Sequence, residues 1–158
     1  MGRWTGSWLS GPGSAGLRPA PAGDGYRGER LGRPASGAGS VSGFGPRLGA
    51  FAIDTVLANL LVGLVVLFGV RPGPGLRGEL VLVAFLLQEL VLVASAGATA
   101  GMRLAGVRVA RVADGGQPGF AAVLLRTLLL SLLVPALIWD ADGRGMHDRA
   151  SGTVVVRG

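Results

Sequence analysis

Cysteine is missing from all 158 residues, which removes disulfide bonds and thiolate chemistry and leaves the redox compartment open. Lysine is missing too, so the formal charge of +6 rests on arginine alone. A GC-rich coding sequence would leave the same bias, together with the 29 glycines. Charge of either sign is scarce, at 15% of residues against 49% hydrophobic. A soluble chain of one-domain length uses more charge on its surface. Composition therefore points to a membrane. The arginines form no dense stripe, which argues against nucleic acid as a partner. They flank apolar runs instead, where anionic lipid headgroups are the natural counter-charge. The sequence contains no Walker-type phosphate loop, dinucleotide loop or acyl-transfer constellation. We expect neither an enzyme nor a bound cofactor.

The first 45 residues are rich in Gly, Pro, Ser and Ala, with Arg18, Arg27, Arg30 and Arg33 between them. They lack apolar periodicity and read as a flexible, basic, cytoplasmic tail. Trp4 and Trp8, one helical turn apart, suit either a membrane interface or a disordered tail. Met1 to Leu9 has no apolar stretch long enough for a cleavable signal. Residues 46–158 read as the membrane domain.

Within it, Leu48 to Val70 and Leu80 to Ala100 are each long enough to cross a bilayer, whose core takes roughly 20 helical residues. A turn, RPGPGLRG, separates them. Ala121 to Trp139 is a third apolar segment, interrupted by Arg126 and Pro135. The fold class is thus an all-α membrane protein, a small helical bundle with two spanning helices and a third segment that spans or re-enters. Short strands are expected at Val107 to Val112 and at TVVVR, Thr153 to Arg157.

Positive residues favour the cytoplasmic side. Arg27, Arg30, Arg33 and Arg47 place the amino terminus inside, and Arg103, Arg108 and Arg111 do the same for the second connection. Three complete crossings would leave Arg144, Arg149 and Arg157 outside. Re-entry at Pro135 would return them inside, where TVVVR can pair with the strand near Val107. Three crossings are the preferred expectation because Ala121 to Trp139 has the length.

Charges inside apolar runs are costly unless they face protein or water, so they are the first functional candidates. Asp54 lies seven residues after Arg47, about 10 Å along a helix axis, so direct pairing between them is not expected. Arg47 should anchor at the headgroups. Arg126 would lie at a depth similar to Asp54, and Asp54 with Arg126 is the preferred buried pair. Glu89 should face another helix, bind a proton or meet water. Asp54 and Glu89 together could form part of a proton or cation route, but packing and pairing is the favoured role, since two acids alone do not define a pathway. His147 and Asp148, with Asp140 and Asp142 upstream, lack the repeated spacing of a metal site. For these groups, capping and pairing with Arg144 or Arg149 are the simpler expectation.

In order along the chain, Arg47 in PRLGAFAIDTV, Asp54 in the same helix, the GATAGMRLAGVRV connection and Asp148 in GRGMHDRASGTVVV resemble the landmarks of the RDD family. That family of small membrane domains is named for one arginine and two aspartates. The resemblance covers about Phe44 to Arg157. At Met102 and Arg103 the sequence departs from the family's Gly-Lys form, keeping a basic residue one place later. The resemblance implies a membrane domain and no defined substrate. The preferred functional expectation is assistance to movement of an ion or small solute, as a homo-oligomer or with another membrane protein. The alternative is a non-catalytic structural or regulatory subunit of a membrane complex. Candidate functional residues are Arg47, Asp54, Glu89, Arg126 and Asp148.

Overall fold

The computed structural model describes residues 25–132, 138, 140 and 142–158. Trp4, Trp8, Arg18, Pro135 and Trp139 lie outside them. Helix α1 (Phe44–Leu67) and helix α2 (Pro74–Ala96) form a hairpin. At 1.5 Å per residue the 24-residue α1 is about 36 Å long, more than the thickness of a hydrocarbon core. Both helices are long and apolar enough to cross a membrane. Only 22% and 17% of their most apolar windows are buried, in contrast to the mostly buried core helix of a soluble protein. Where they do meet protein they use one narrow stripe each. On α1 this is Ala50, Asp54, Ala58 and Val62, and on α2 it is Phe85, Glu89 and Val93. The repeat of four keeps each stripe on one helix face. Phe51 and Phe85 add an edge-to-face contact, with ring centroids 5.3 Å apart.

Helix α2 ends at Gly97, whose positive φ of 70° lets its N–H return to the Val93 carbonyl. Thr99 then caps the short helix α3 (Ala100–Leu104), accepting from the Met102 N–H. Strand β1 (Val107–Arg111) follows, then helix α4 (Phe120–Ser131), helix α5 (Met146–Ala150) and strand β2 (Thr153–Arg157). β1 and β2 pair antiparallel, from Val107 opposite Arg157 to Arg111 opposite Thr153.

Alternation along the strands divides the core in two. Val107, Val109 and Val155 pack with Ala50, Val93, Met102 and Val123 from the helices. Ala110, Val154 and Val156 face the other way, against Val41 and Leu31. The three consecutive valines of β2 are buried because both faces of this two-stranded sheet are covered.

Three expectations need correction. The fold is mostly helical but not all-α, since a two-stranded sheet ties its ends together. Residues 25–43 do not stand apart as a tail. Val41 bridges to Val156, the Ser42 N–H donates to the Val155 carbonyl, and Arg33 donates to the Arg111 carbonyl. Their Gly-rich composition serves tight turns that lay the segment on the sheet. Finally, the described part of the segment after Phe120 forms a helix shorter than a full crossing. α4 has 12 residues, about 18 Å, and β2 returns beside β1 at the end where α1 begins. Backbone pairing and buried ion pairs, invisible to a hydropathy window, hold the terminus there.

Candidate functional site: a buried charge cluster where the helices meet the sheet

The carboxy-terminal helix α5 carries the pivot. Asp148 is fully buried and lies between two arginines from different helices. Arg126 Nε of α4 donates to Asp148 Oδ1 at 2.9 Å. Arg47 Nη1 of α1 donates to Oδ2 at 3.2 Å, and its Nη2 donates to the Val155 carbonyl at 3.3 Å. Arg126 Nη1 also donates to Glu89 Oε1 of α2. The result is a continuous ionic chain, Glu89–Arg126–Asp148–Arg47, linking α2, α4, α5 and α1.

Two acids and two arginines balance one another. Burial would push the Asp148 carboxyl upward, but Arg126, His147 and Arg47 outweigh it and hold Asp148 below the ordinary carboxylate value. His147 Nε2 is 3.5 Å from Asp148 Oδ1. Thr153 Oγ1 donates to the same carboxylate oxygen at 3.3 Å.

Asp54 stands apart from this chain. Its Oδ2 accepts from Thr99 Oγ1 at 2.5 Å, and its Oδ1 accepts from the Gly101 N–H at 2.8 Å. Thus a carboxylate in the first long helix holds the start of α3, reinforcing the Thr99 cap. Gln88 Nε2 donates to the Asp54 backbone carbonyl at 2.6 Å, joining α1 to α2 one position from Glu89. Gly101 is required by this closeness: an added Cβ would lie 2.7 Å from Asp54 Oδ2 and press on the Ala50 carbonyl. No ion pair among the described residues includes Asp54.

The expected Asp54–Arg126 pair is therefore not formed. α4 packs chiefly on α2 and α5, so its buried face of Val123, Arg126 and Thr127 meets Glu89 and Asp148, while α3 occupies the space beside Asp54. Arg47 was expected to anchor at headgroups and instead turns inward to Asp148. Asp148 does not pair with Arg144 or Arg149. Arg144 takes Asp140, at 3.0 Å.

Thr99, Gly101, Gln88 and Thr153 are the site residues that sequence reasoning missed. Only Thr99 carries a recognisable local signal, a threonine at a helix start three residues before the N–H it caps. Among the described residues no three potential metal ligands converge.

The architecture is a hairpin of two helices long and apolar enough to span a membrane, closed at one end by a charge-linked cap. The RDD family model matches residues 41–152, and the chain belongs to the RDD family. Of the three residues behind the resemblance, Arg47 and Asp148 bond to each other, and Asp54 lies two turns along α1 from Arg47. The match ends before β2, so the strand that completes the sheet lies outside it. No match to the chain was found among curated proteins or solved structures. The family and the two apolar helices together point to a membrane protein.

Proposed function

We propose that this chain is a multi-pass membrane protein acting as a non-catalytic structural or regulatory subunit, its buried charges holding a cytoplasmic cap onto a two-helix membrane anchor. The observation that carries the reading is the closure of the ionic chain. Glu89, Arg126, Asp148 and Arg47 satisfy one another, and each contact joins a different pair of elements. Charges arranged so are a latch, because moving Arg126 or Asp148 breaks contacts with two other elements at once. Arg27, Arg30, Arg33, Arg103, Arg108, Arg111, Arg149 and Arg157 gather at the cap end, against Arg71 and Arg77 at the hairpin turn. That imbalance supports a cytoplasmic cap, with α4 as a re-entrant segment and both termini inside. The cap's arginines then meet anionic headgroups.

One observation favours a second reading, movement of a cation or proton. Asp54 is buried on a long apolar helix and receives only neutral donors among the described residues. A carboxylate so placed is a candidate binding group for a proton or small cation.

Sealed vesicles holding the purified full chain decide between the two. On the subunit reading, a panel of monovalent and divalent cations shows no flux above empty vesicles. Flux lost in Asp54→Asn, with insertion intact, would instead establish the second reading.

A further inference from the structure

Helix α1 carries a polar group that the latch does not use. Asn59 lies on its outward face, and its side chain makes one hydrogen bond among the described residues, to the Thr55 carbonyl of its own helix at 2.9 Å. The amide keeps one N–H and its carbonyl oxygen for other partners. From Asn59 to the end of α1 at Leu67 is eight residues, about 12 Å, so hydrocarbon surrounds it if α1 spans. Lipid tails offer neither donor nor acceptor, and polar side chains in spans usually face another helix.

One turn further lies Gly63. It is a glycine in mid-helix with no positive φ, and an added Cβ there would meet nothing within 4 Å. Nothing among the described residues explains the glycine, although glycine weakens a helix interior relative to alanine. Both residues line a shallow groove of about 500 Å³ with Val56, Leu60, Leu64 and Leu67. Arg77 closes its outer end, where a guanidinium belongs with lipid phosphate.

We propose that this groove is the contact surface for a second copy of the same chain, α1 against α1 about a two-fold axis along the membrane normal. The amide decides the occupant. A carboxamide is self-complementary, so at a two-fold axis the unused N–H of each Asn59 meets the carbonyl oxygen of the other. Gly63 lets the two backbones approach closely enough for that bond to form. The cap ends of both copies then lie on the same side, as a shared membrane orientation requires. This inference rests on the membrane-spanning reading and adds to the subunit proposal a self-association face remote from the latch.

The absence of cysteine makes the test direct. Full-length protein carrying Leu60→Cys is reconstituted in phospholipid vesicles and oxidised, with Leu82→Cys on α2 as control. The expected result is a cross-linked dimer for Leu60→Cys and monomer for Leu82→Cys. Asn59→Leu added to Leu60→Cys should shift the monomer–dimer equilibrium about tenfold toward monomer, and Asn59→Gln should retain dimer. Circular dichroism and detergent gel filtration check that each variant still folds; Asn59 and Leu60 are exposed, so neither change touches the core. A membrane-inserted monomer at every protein-to-lipid ratio would overturn the dimer alone. So would a dimer indifferent to Asn59→Leu, or cross-linking of Leu82→Cys as efficient as that of Leu60→Cys. Recovery without detergent as a soluble monomer would overturn the membrane reading with it.

Discussion

Replacing Arg126 with methionine is the sharpest test of the latch. Its guanidinium donates to both Glu89 and Asp148, and all three side chains are at most 4% exposed. Removing it strips Glu89 of its cation among the described residues and leaves Asp148 with Arg47 and the adjacent His147. Breaking a buried pair from one side costs about 3–5 kcal/mol. Glu89 can relieve part of this by taking a proton, so Arg126→Met should fall near the lower figure, about 3 kcal/mol. Adding Glu89→Leu removes the stranded acid and replaces charge with apolar volume, a change that is often neutral. The double variant should therefore recover about 2 kcal/mol of the loss, the non-additivity expected of residues in direct contact. Chemical denaturation in mild detergent, followed by circular dichroism, measures all four corners of the cycle. An Arg126→Met protein within about 0.5 kcal/mol of the parent, the range of an ordinary surface change, would refute the latch.

Thr99→Val keeps the shape of the threonine but loses the α3 cap and the donor to Asp54, and should cost about 1–2 kcal/mol, while Thr99→Ser restores most of it. Equal stability of the two variants in the same denaturation assay would contradict the Asp54 assignment. Gly101→Ala places a methyl 2.7 Å from Asp54 Oδ2 and should destabilise by about 1–3 kcal/mol through overpacking. Partial suppression of that loss by Asp54→Ala, which leaves the clash with the Ala50 carbonyl, would confirm the contact, and no loss at all would deny it. Asp148 has a depressed folded pKa, so its stabilisation is complete above the unfolded carboxylate value of about 3.9 and disappears as pH falls through the lower folded value. Hydrogen exchange of β2 should accordingly stay slow down to about pH 4 and quicken below it. Quickening already at pH 6 would be inconsistent with an ionised, arginine-held Asp148.

What the amino-acid order determined by itself is the resemblance to the RDD family, the two long apolar helices and the charged residues set within apolar runs. Apolar runs of spanning length are local properties, and an acid or arginine inside one is visible without any fold. The strands at Val107 and Thr153 were legible too, from valines between glycine turns. The partners were not. Asp54 and Arg126 looked matched by depth along separate helices, but depth ignores which helix packs on which. α4 settled on α2 and α5, so Arg126 took Glu89 and Asp148, and Asp54 was left to hold α3. The residues near Val41 were equally unreadable. Their composition suits a loose tail, and only the exposed far side of the sheet, which needed Val41 and Leu31 to cover Val154 and Val156, gave them a place. Hydropathy is summed along the chain, whereas ion pairing and strand register depend on contacts between residues as far apart as Arg47 and Asp148, and those exist only once the chain has folded.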